Sequence, residues 1–259
     1  MKKFIIDFLV KENNNLNSNY SLLKLTPKQG TLPVIYPGQF VQVLINNSPS
    51  TYLRRPISVN YVDYCQNELW LLIRNAGAGT NALIDTKIGE ILNIILPLGN
   101  SFSYPKSKDD EVLLIGGGVG VAPLLYWGSI LKQQGYKPSF LLGAKSASDL
   151  LELDYFRQFG SVYVSTDDGT MGEKGFVINN TILQTGTFKQ ISCCGPVIMM
   201  KAIAKIARHK GVECEVSLEN TMACGVGACL CCVEDTVNGN VCVCKDGPIF
   251  NIDKLKWEI

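Results

Sequence analysis

The sequence lacks most of the features on which acid–base enzymes, nucleic-acid binders and membrane proteins depend. It contains one histidine, His209, and no motif with paired carboxylates, so we expect no catalytic acid or base. Its 24 basic residues are balanced by 23 acidic residues and form no basic block, which argues against a nucleic-acid partner. The longest apolar runs, such as ILNIILPL, fall far short of the roughly 20 residues that span a bilayer, so we expect no membrane partner either.

The amino terminus does not have the pattern of a signal peptide. The stretch MKKFIIDFLVK begins with basic residues, but Asp7 and Lys11 interrupt the apolar core that a signal peptide requires. We therefore expect a cytoplasmic protein, whose ten cysteines meet a reducing environment. Six of the ten lie between Cys224 and Cys244, and this crowding predicts metal or cluster binding rather than disulfides.

The 259 residues fall into three segments with different patterns of apolar and turn-forming residues, which together predict an α+β multidomain protein. Residues 1–101 carry six short apolar or alternating runs separated by turn signals, one of them PISVNYV, and six such strands predict an antiparallel β-barrel. Residues 102–211 alternate strand and helix patterns, which predicts an α/β domain with a parallel sheet. Residues 212–259 are too short to bury much apolar surface, so we expect a small C-terminal domain held together by an inorganic centre.

A glycine loop follows the first strand of the predicted α/β domain. The stretch EVLLIGGGVGVAPLLYW is a buried strand, four glycines and a helix start, and glycines at a helix amino end let a pyrophosphate approach the chain. Pro123 stands where the dinucleotide fingerprint has its third glycine, so a tight turn without ligand is the alternative. The stretches ISCCGPV and STDDG end other strands, and such loops line one crevice in open α/β sheets.

The predicted barrel carries its own candidate pyrophosphate site. Arg54 and Arg55 precede a proline-stiffened strand, and Gly79 and Thr80 precede a helix start. An arginine fork and a helix amino end can together hold a pyrophosphate, although a solvated arginine beside an ordinary turn would produce the same pattern.

The cysteine spacing points to iron and sulfur. Cys224-x4-Cys229-x2-Cys232 followed by a later cysteine is the plant-type ligand pattern of a 2Fe-2S cluster. In an extended VCVC segment, Cys242 and Cys244 share one face, so spacing leaves the fourth ligand open between them. Zinc would also accept four cysteines, but the four-residue gap and the small residues of the loop, whose amides can turn toward sulfur, fit a cluster better.

Taken in order, RPIS, AGAGT, GGGVGVAPL and CGP resemble the ferredoxin-reductase superfamily, and the resemblance covers the whole chain. The tail SLENTMACGVGACLCC…CVCKDGPIF narrows it to the electron-transfer subunits of NAD-dependent dihydroorotate dehydrogenases. The resemblance implies a barrel that binds FAD, an α/β domain that binds NAD and a C-terminal 2Fe-2S domain. It also chooses Cys244, because the ligand of the family directly precedes a KDGP-like stretch.

The resemblance carries site residues onto this sequence. FAD binding falls on Arg55, Pro56, Ile57, Ser58, Leu72, Ile73, Arg74, Gly79 and Thr80. NAD binding falls on Gly116, Gly117, Gly118, Gly120, Cys194, Gly195 and Pro196, and less specifically on Thr166–Gly169. The cluster ligands are Cys224, Cys229, Cys232 and Cys244, which leaves the other six cysteines as small apolar fillers or spare thiols, unless Cys194 lies beside the nicotinamide.

The resemblance also implies the function. A partner catalytic subunit with FMN oxidises dihydroorotate to orotate in pyrimidine biosynthesis, and electrons pass through the cluster and FAD to NAD, in an assembly of two copies of each subunit. One alternative is a small flavin and iron-sulfur subunit of an NAD(P)H-ferredoxin or sulfide oxidoreductase. The other, of a different class, is a zinc-containing regulatory module that binds a nucleotide.

Overall fold

The structure is a computed structural model that describes residues 2–46, 48 and 50–258. The chain forms two compact units. The first contains Met1–Ser101, Glu219–Glu234 and Asn240–Pro248, and the second contains Phe102–Leu218, Asp235–Gly239 and Ile249–Ile259. Residues 212–259 are thus divided between the two units. The functional division at residues 101 and 211 stays a prediction.

The first unit is built on a sheet of seven antiparallel strands in the order β4-β3-β7-β1-β2-β6-β5. Its elements are β1 (Phe4–Asn17), β2 (Tyr20–Pro27), β3 (Phe40–Val43), β4 (Arg55–Ser58), β5 (Tyr61–Asp63), β6 (Glu68–Arg74), α1 (Ala78–Ile84) and β7 (Ile91–Leu98). The run PISVNYV, expected as one strand, is divided into β4 and β5. These two strands lie at opposite ends of the sheet order and only two residues separate them, so the sheet edges must meet as in a barrel.

The barrel core follows from the alternation of side chains along the strands. Phe8 and Val10 of β1 are fully buried, whereas their neighbour Leu9 is exposed. All four residues of β3 are buried, so both faces of this strand are covered. The polar side chain of Gln42, in the middle of β3, is therefore enclosed.

The second unit has a sheet of seven strands in the order β11-β10-β9-β8-β12-β13-β16, parallel except for the pairing of β13 with β16. The strands are β8 (Glu111–Gly117), β9 (Lys137–Ala144), β10 (Ser161–Thr166), β11 (Glu173–Lys174), β12 (Gln190–Cys194), β13 (Glu213–Ser217) and β16 (Ile249–Asn251). The helices are α2 (Ala122–Gln133), α3 (Leu153–Phe159), α4 (Ile182–Thr185) and α5 (Val197–Lys210). The chain moves outward on one side of β8 and then returns to place β12 on the other side.

Two helices illustrate how this unit is held together. The Trp127 side chain of α2 is fully buried, and its indole N–H donates to the Ser192 hydroxyl at 3.1 Å. Helix α5 ends at Lys210 and is capped by Gly211, whose φ of +65° is a conformation that favours glycine. His209 lies in the last turn of this helix.

The remaining elements are short. They are β14 (Val233–Thr236), β15 (Gly239–Cys242) and α6 (Val243–Asp246), with β14 and β15 forming a two-stranded sheet. Over the described part of the chain, no helix combines the length and apolar character needed to cross a membrane.

Candidate cofactor sites

Four cysteines of the first unit lie together as two hydrogen-bonded pairs. The thiol of Cys229 donates a hydrogen bond to Sγ of Cys224. The thiol of Cys244 donates to Sγ of Cys232. A 2Fe-2S centre takes four cysteine thiolates, two on each iron, so two neighbouring pairs of thiols are the donor set that it requires.

Backbone N–H groups of the loop point at these sulfurs. Sγ of Cys224 accepts the N–H of Val226 at 3.4 Å and that of Ala228 at 3.3 Å. Sγ of Cys244 accepts the N–H of Gly227 at 3.1 Å. Such N–H···S contacts stabilise negative charge on sulfur, and the small side chains at 227 and 228 leave the backbone room to make them.

Cys224 and Cys244 differ in how readily they lose a proton. Burial opposes ionisation of Cys224, but hydrogen bonds from three backbone N–H groups and the Cys229 thiol outweigh it and lower its pKa to about 6. Burial raises the pKa of Cys244 to about 12, with the contact to Cys232 adding to the rise. Metal ligation needs thiolates, so Cys244 must release a proton when metal binds.

The VCVC segment is not extended throughout, and the expectation that it would be is wrong beyond Cys242. Strand β15 ends at Cys242, whose N–H donates to the Asp246 carboxylate at 3.0 Å. The chain then turns into α6, where Val243 N–H donates to the Cys232 carbonyl at 2.9 Å and Cys244 N–H donates to the Cys232 Sγ at 3.3 Å. This turn brings Cys244 against Cys232.

The neighbouring cysteines Cys231 and Cys232 have opposite environments, since Cys231 is exposed and Cys232 is buried. Within the described ranges, no three His, Cys, Asp or Glu side chains surround one point as the ligands of a single metal ion would. What the first unit offers is two thiol pairs with N–H donors around them. These residues fit a 2Fe-2S centre.

In the barrel, Arg55 lies against the start of α1. A Cβ at Gly79 would lie 2.5 Å from Nε of Arg55, so only glycine allows this approach. The Thr80 hydroxyl accepts the Ala76 N–H at 2.9 Å and donates to the Gly77 carbonyl at 3.1 Å, which stabilises the turn before the helix. The structure thus brings the guanidinium and the Gly-Thr turn together, as a pyrophosphate site requires.

The adjacent Arg54 has a different role. Its Nη2 donates to Oδ1 of Asn93 at 2.6 Å, and its Nη1 donates to the Asn93 carbonyl at 2.8 Å and the Gln42 carbonyl at 3.3 Å. Burial lowers the pKa of Arg54. This arginine joins β3 to β7, which the sequence pattern did not reveal.

The other residues predicted to bind flavin fall into two groups. Pro56, Ile57 and Ser58 of β4 are all partly exposed and can contact a ligand with their side chains. Leu72 and Ile73 are buried in β6, and Arg74 at the end of that strand is exposed. The structure therefore leaves Arg74 as the accessible side chain of the second stretch.

The nucleotide loops of the second unit meet at the carboxyl ends of β8 and β12. Cys194 is paired with Gly116 across these strands. A Cβ at Gly120 would lie 2.4 Å from the Cys194 carbonyl oxygen, so only glycine lets the two loops approach each other this closely. Because the chain reverses its direction across the sheet between β8 and β12, this is the position where open α/β sheets bind ligands.

At this carboxyl edge of the sheet, the sequence did not predict the position of Met199 and predicted the Thr166–Gly169 turn only less specifically. Met199 of α5 covers the glycine loop, since a Cβ at Gly117 would lie 2.6 Å from its Sδ, and no signal in the sequence marks it. The Thr166–Gly169 turn follows β10, two strands away from β8. There Asp168 accepts the hydroxyl and N–H of Thr170 at 2.6 and 2.9 Å, which hold the pKa of its carboxyl below the ordinary value.

Comparison with known proteins agrees with an iron-sulfur site in the cysteine segment and with a redox function for the chain. Residues 219–256 match the family model of the iron-sulfur cluster binding domain of dihydroorotate dehydrogenase B. Curated relatives are named dihydroorotate dehydrogenase B (NAD(+)), electron transfer subunit. The one from Shouchella clausii is 38% identical over 224 residues, covering 85% of this chain and 86% of that protein. The one from Caldanaerobacter subterraneus subsp. tengcongensis is 40% identical over 219 residues, covering 83% and 85%.

The chain belongs to this family of electron transfer subunits. The family name implies a separate catalytic subunit. The predictions of the family and of the fold class are both confirmed.

Solved structures extend the comparison. One similar chain comes from a structure of the NADH-dependent reduced ferredoxin-NADP oxidoreductase that was used to study flavin-based electron bifurcation. It is 27% identical in sequence and has a TM-score of 0.84, and the match covers 97% of this chain and 90% of that chain. An Amycolatopsis cytochrome P450 reductase is 20% identical with a TM-score of 0.69, covering 80% and 66%, and shares the fold. The same fold therefore occurs in other redox proteins.

Proposed function

We propose that this chain is the electron transfer subunit of an NAD-dependent dihydroorotate dehydrogenase. It carries electrons from a catalytic partner subunit through a 2Fe-2S cluster and FAD to NAD+. The proposal rests on two thiol pairs, Cys224 with Cys229 and Cys232 with Cys244. Both pairs lie in the segment that matches the iron-sulfur domain of this enzyme family. These four cysteines are the proposed ligands.

The cluster segment supplies more than ligands. The N–H groups of Val226, Gly227 and Ala228 point at ligand sulfurs and would stabilise the additional negative charge of a reduced centre. Because the loop is part of the first unit together with the barrel, the residues that hold the cluster and those that hold the flavin belong to one compact body.

When bound, FAD exchanges two electrons with a nicotinamide and single electrons with an iron-sulfur centre. In this chain Arg55 places positive charge beside the Gly79–Thr80 turn, where it would neutralise a pyrophosphate. Pro56, Ile57, Ser58 and Arg74 offer further accessible contacts, whereas Leu72 and Ile73 would contribute only by shaping the barrel.

For the nicotinamide nucleotide, the proposed residues are the Gly116–Gly120 loop and Cys194–Pro196. Their backbones lie close together at the reversal point of the sheet, so a phosphate group bound there would meet N–H groups rather than side chains. Of the residues that follow β9, only Lys145 is a basic side chain near the strand end, which favours NAD over NADP.

The partner is proposed to be the FMN-containing subunit that oxidises dihydroorotate to orotate in pyrimidine biosynthesis, in an assembly of two copies of each subunit in the cytoplasm. The family name supports the existence of the partner, and the resemblance in sequence supports the stoichiometry. The three functional segments, residues 1–101 for FAD, 102–211 for NAD and 212–259 for the cluster, belong to the same proposal.

Purification of the chain with its native partner tests the function. We expect a partner that contains FMN, dihydroorotate-dependent reduction of NAD+, and a mass for the complex that corresponds to two copies of each subunit. A partner with several additional iron-sulfur clusters and no reaction with dihydroorotate would contradict the proposal. A colourless protein that contains zinc would contradict it at the level of the cofactors.

One observation favours a second candidate function. The similarity to a chain of a ferredoxin-NADP oxidoreductase extends over 97% of this sequence, so the same modules also occur in an enzyme linked to ferredoxin. A subunit of that kind would reduce ferredoxin with NAD(P)H and would ignore dihydroorotate. The purification described above separates the two functions directly.

A further inference from the structure

We propose that the side-chain amide of Gln42 donates a hydrogen bond to a sulfur of the iron-sulfur centre in the Cys224–Cys232 loop and thereby raises its reduction potential. This inference rests on the proposed function, because it concerns the same centre. It assigns a tuning role to a barrel residue that lies far from the cysteines in sequence.

The first observation is an unpartnered amide in a closed environment. Gln42 has no exposed surface, and neither its Nε2 nor its Oε1 has a hydrogen-bond partner among the described residues. Buried amides are nearly always hydrogen-bonded, because water can no longer compensate them. A partner from outside the polypeptide is therefore expected at this position.

The second observation is the position of the amide against the cysteine loop. A Cβ at Gly225 would lie 2.7 Å from Cγ and 2.9 Å from Nε2 of Gln42. Gly225 directly follows Cys224 and has a φ of +71°, so residue 225 must be glycine for conformation as well as for space. The amide of Gln42 thus packs on the backbone that carries the first cysteine of the cluster motif.

The chemistry of the loop identifies the missing partner as sulfur. The N–H groups of Val226, Gly227 and Ala228 already point at cysteine sulfurs, so the loop surrounds its sulfurs with donors. The NH₂ group of Gln42 adds two donors that no acceptor in the described part of the chain uses. A donor aimed at thiolate or sulfide stabilises the more negative, reduced state of the centre.

A second buried glutamine of the barrel serves as a matched comparison. Gln39 accepts the Tyr36 N–H at its Oε1 and donates from Nε2 to the Gly99 carbonyl, at 2.7 and 3.0 Å. Its amide is held by the protein itself. Gln39 and Gln42 therefore differ in the partner of the amide rather than in residue type or burial.

The test is a redox titration of the cluster in the full chain with its cofactors, in wild type, Gln42→Met and Gln39→Met. Methionine keeps the length of glutamine and removes the donors. We expect Gln42→Met to lower the equilibrium constant for one-electron reduction about tenfold, which corresponds to a midpoint potential about 59 mV more negative. Gln39→Met should lower stability and leave the midpoint unchanged.

A measurement on the wild type covers the case in which Gln42→Met does not fold or does not hold the cluster. With glutamine labelled by ¹⁵N in its side chain, pulsed electron paramagnetic resonance of the reduced cluster should detect a coupled side-chain nitrogen. The coupling should persist in Gln39→Met and, where the variant folds, disappear in Gln42→Met.

The outcomes separate the inference from the function it rests on. A wild-type chain without an iron-sulfur spectrum would contradict the proposed function. A chain with the cluster but with no nitrogen coupling, or with an unchanged potential in Gln42→Met, would overturn the role of Gln42 alone. So would a variant whose flavin potential moves while that of the cluster does not.

Discussion

Glycine and cysteine occur side by side in both units of this molecule, but they do different things in each. In the cysteine loop of the first unit, Gly227 and Ala228 direct backbone N–H groups onto cysteine sulfurs. In the second unit, Cys193 and Cys194 are fully buried strand residues, and Gly120 makes room for the Cys194 carbonyl. The same two residue types thus build a ligand set in one loop and close packing in the other.

The difference comes from where the backbone N–H groups point. A loop whose amides are already occupied by its own sulfurs is prepared for an inorganic centre that shares those sulfurs. A loop whose glycines allow two backbones to approach at the carboxyl edge of a sheet is prepared for a ligand with phosphate groups. Residue composition alone would have grouped the two loops together.

The largest expected effect concerns the two adjacent cysteines of the first loop. Cys232→Ser should abolish the 2Fe-2S centre, because it removes one member of the buried pair with Cys244. Cys231→Ser should retain it, because Cys231 belongs to neither of the two thiol pairs. Iron content and visible absorption of both variants measure the effect, and the reverse result would show that the cysteine register is wrong.

The second effect concerns the reactivity of a buried thiol in the second unit. Burial, with a smaller contribution from Glu215 and Asp253, raises the pKa of Cys214 to about 12. At pH 8 its thiolate fraction should be about 1,000-fold below that of an ordinary thiol, so alkylation in the folded protein should be negligible. Mass spectrometry after iodoacetamide treatment measures this, with the exposed Cys65 as the labelled control.

The same pKa has a consequence for stability. The unfolded thiol ionises near its ordinary pKa of about 9, whereas the folded thiol keeps its proton up to about 12. The unfolded state therefore releases its proton first, and stability should fall as the pH rises from about 9 toward 12. Cys214→Ala should show a weaker fall over this range in denaturant titrations. Equal pH profiles would contradict the assignment.

The third effect tests the packing role of glycine in the second loop. Gly120→Ala places a methyl group where the Cys194 carbonyl lies, so the two loops must separate, and we expect the affinity for NAD to fall about tenfold or more. Fluorescence titration with NADH measures it, while the content of flavin and iron should not change.

Gly211→Ala is the matched control in the same unit. No atom lies within 4 Å of the added methyl group, but φ is +65°, so this variant should lose about 1 kcal/mol of stability and keep its affinity for NADH. If both variants lose the same affinity, the close approach of the two loops does not explain the requirement for glycine at 120.

The smallest effect distinguishes the two neighbouring arginines of the barrel. Arg55→Ala should weaken FAD binding several-fold to about tenfold, because a pyrophosphate loses one charged partner. Arg54→Ala should instead lower the free energy of unfolding by about 2 kcal/mol, because its hydrogen bonds to Asn93 and the Gln42 carbonyl are lost. Flavin release and denaturant unfolding measure the two effects, and an exchange of the two phenotypes would reverse the roles.

Much of the fold was predictable because it depends on local patterns. Alternation of short strands predicts the barrel, and strand-helix alternation predicts the parallel sheet, and both predictions are confirmed. The pattern failed where a chain reversal has no strong signal, as in the division of PISVNYV into β4 and β5. The individual cofactor residues stay predictions, although the structure brings Arg55 to Gly79 and Gly116 to Cys194.

The roles of Arg54 and Gln42 could not be predicted from the sequence. The family resemblance assigns Arg55 to the flavin, but the physical pattern of RRPIS does not show that Arg54 joins β3 to β7. A glutamine in QFVQVLI is compatible with a solvated strand face, and it becomes significant only because both faces of β3 are covered.

By itself, the sequence determined the spacing of Cys224, Cys229 and Cys232, because ligands within one short loop are placed by local backbone geometry. It also determined the family, through the motifs RPIS, AGAGT, GGGVGVAPL and CGP in that order and the cysteine-rich tail that follows them. The spacing left Cys242 and Cys244 open as the fourth ligand, and the family resemblance chose Cys244. Only the tertiary structure shows that the turn into α6 brings Cys244 against Cys232, and that Gln42 is enclosed against Gly225. Both depend on contacts between segments distant in sequence, where packing and the cost of burying polar groups select one arrangement.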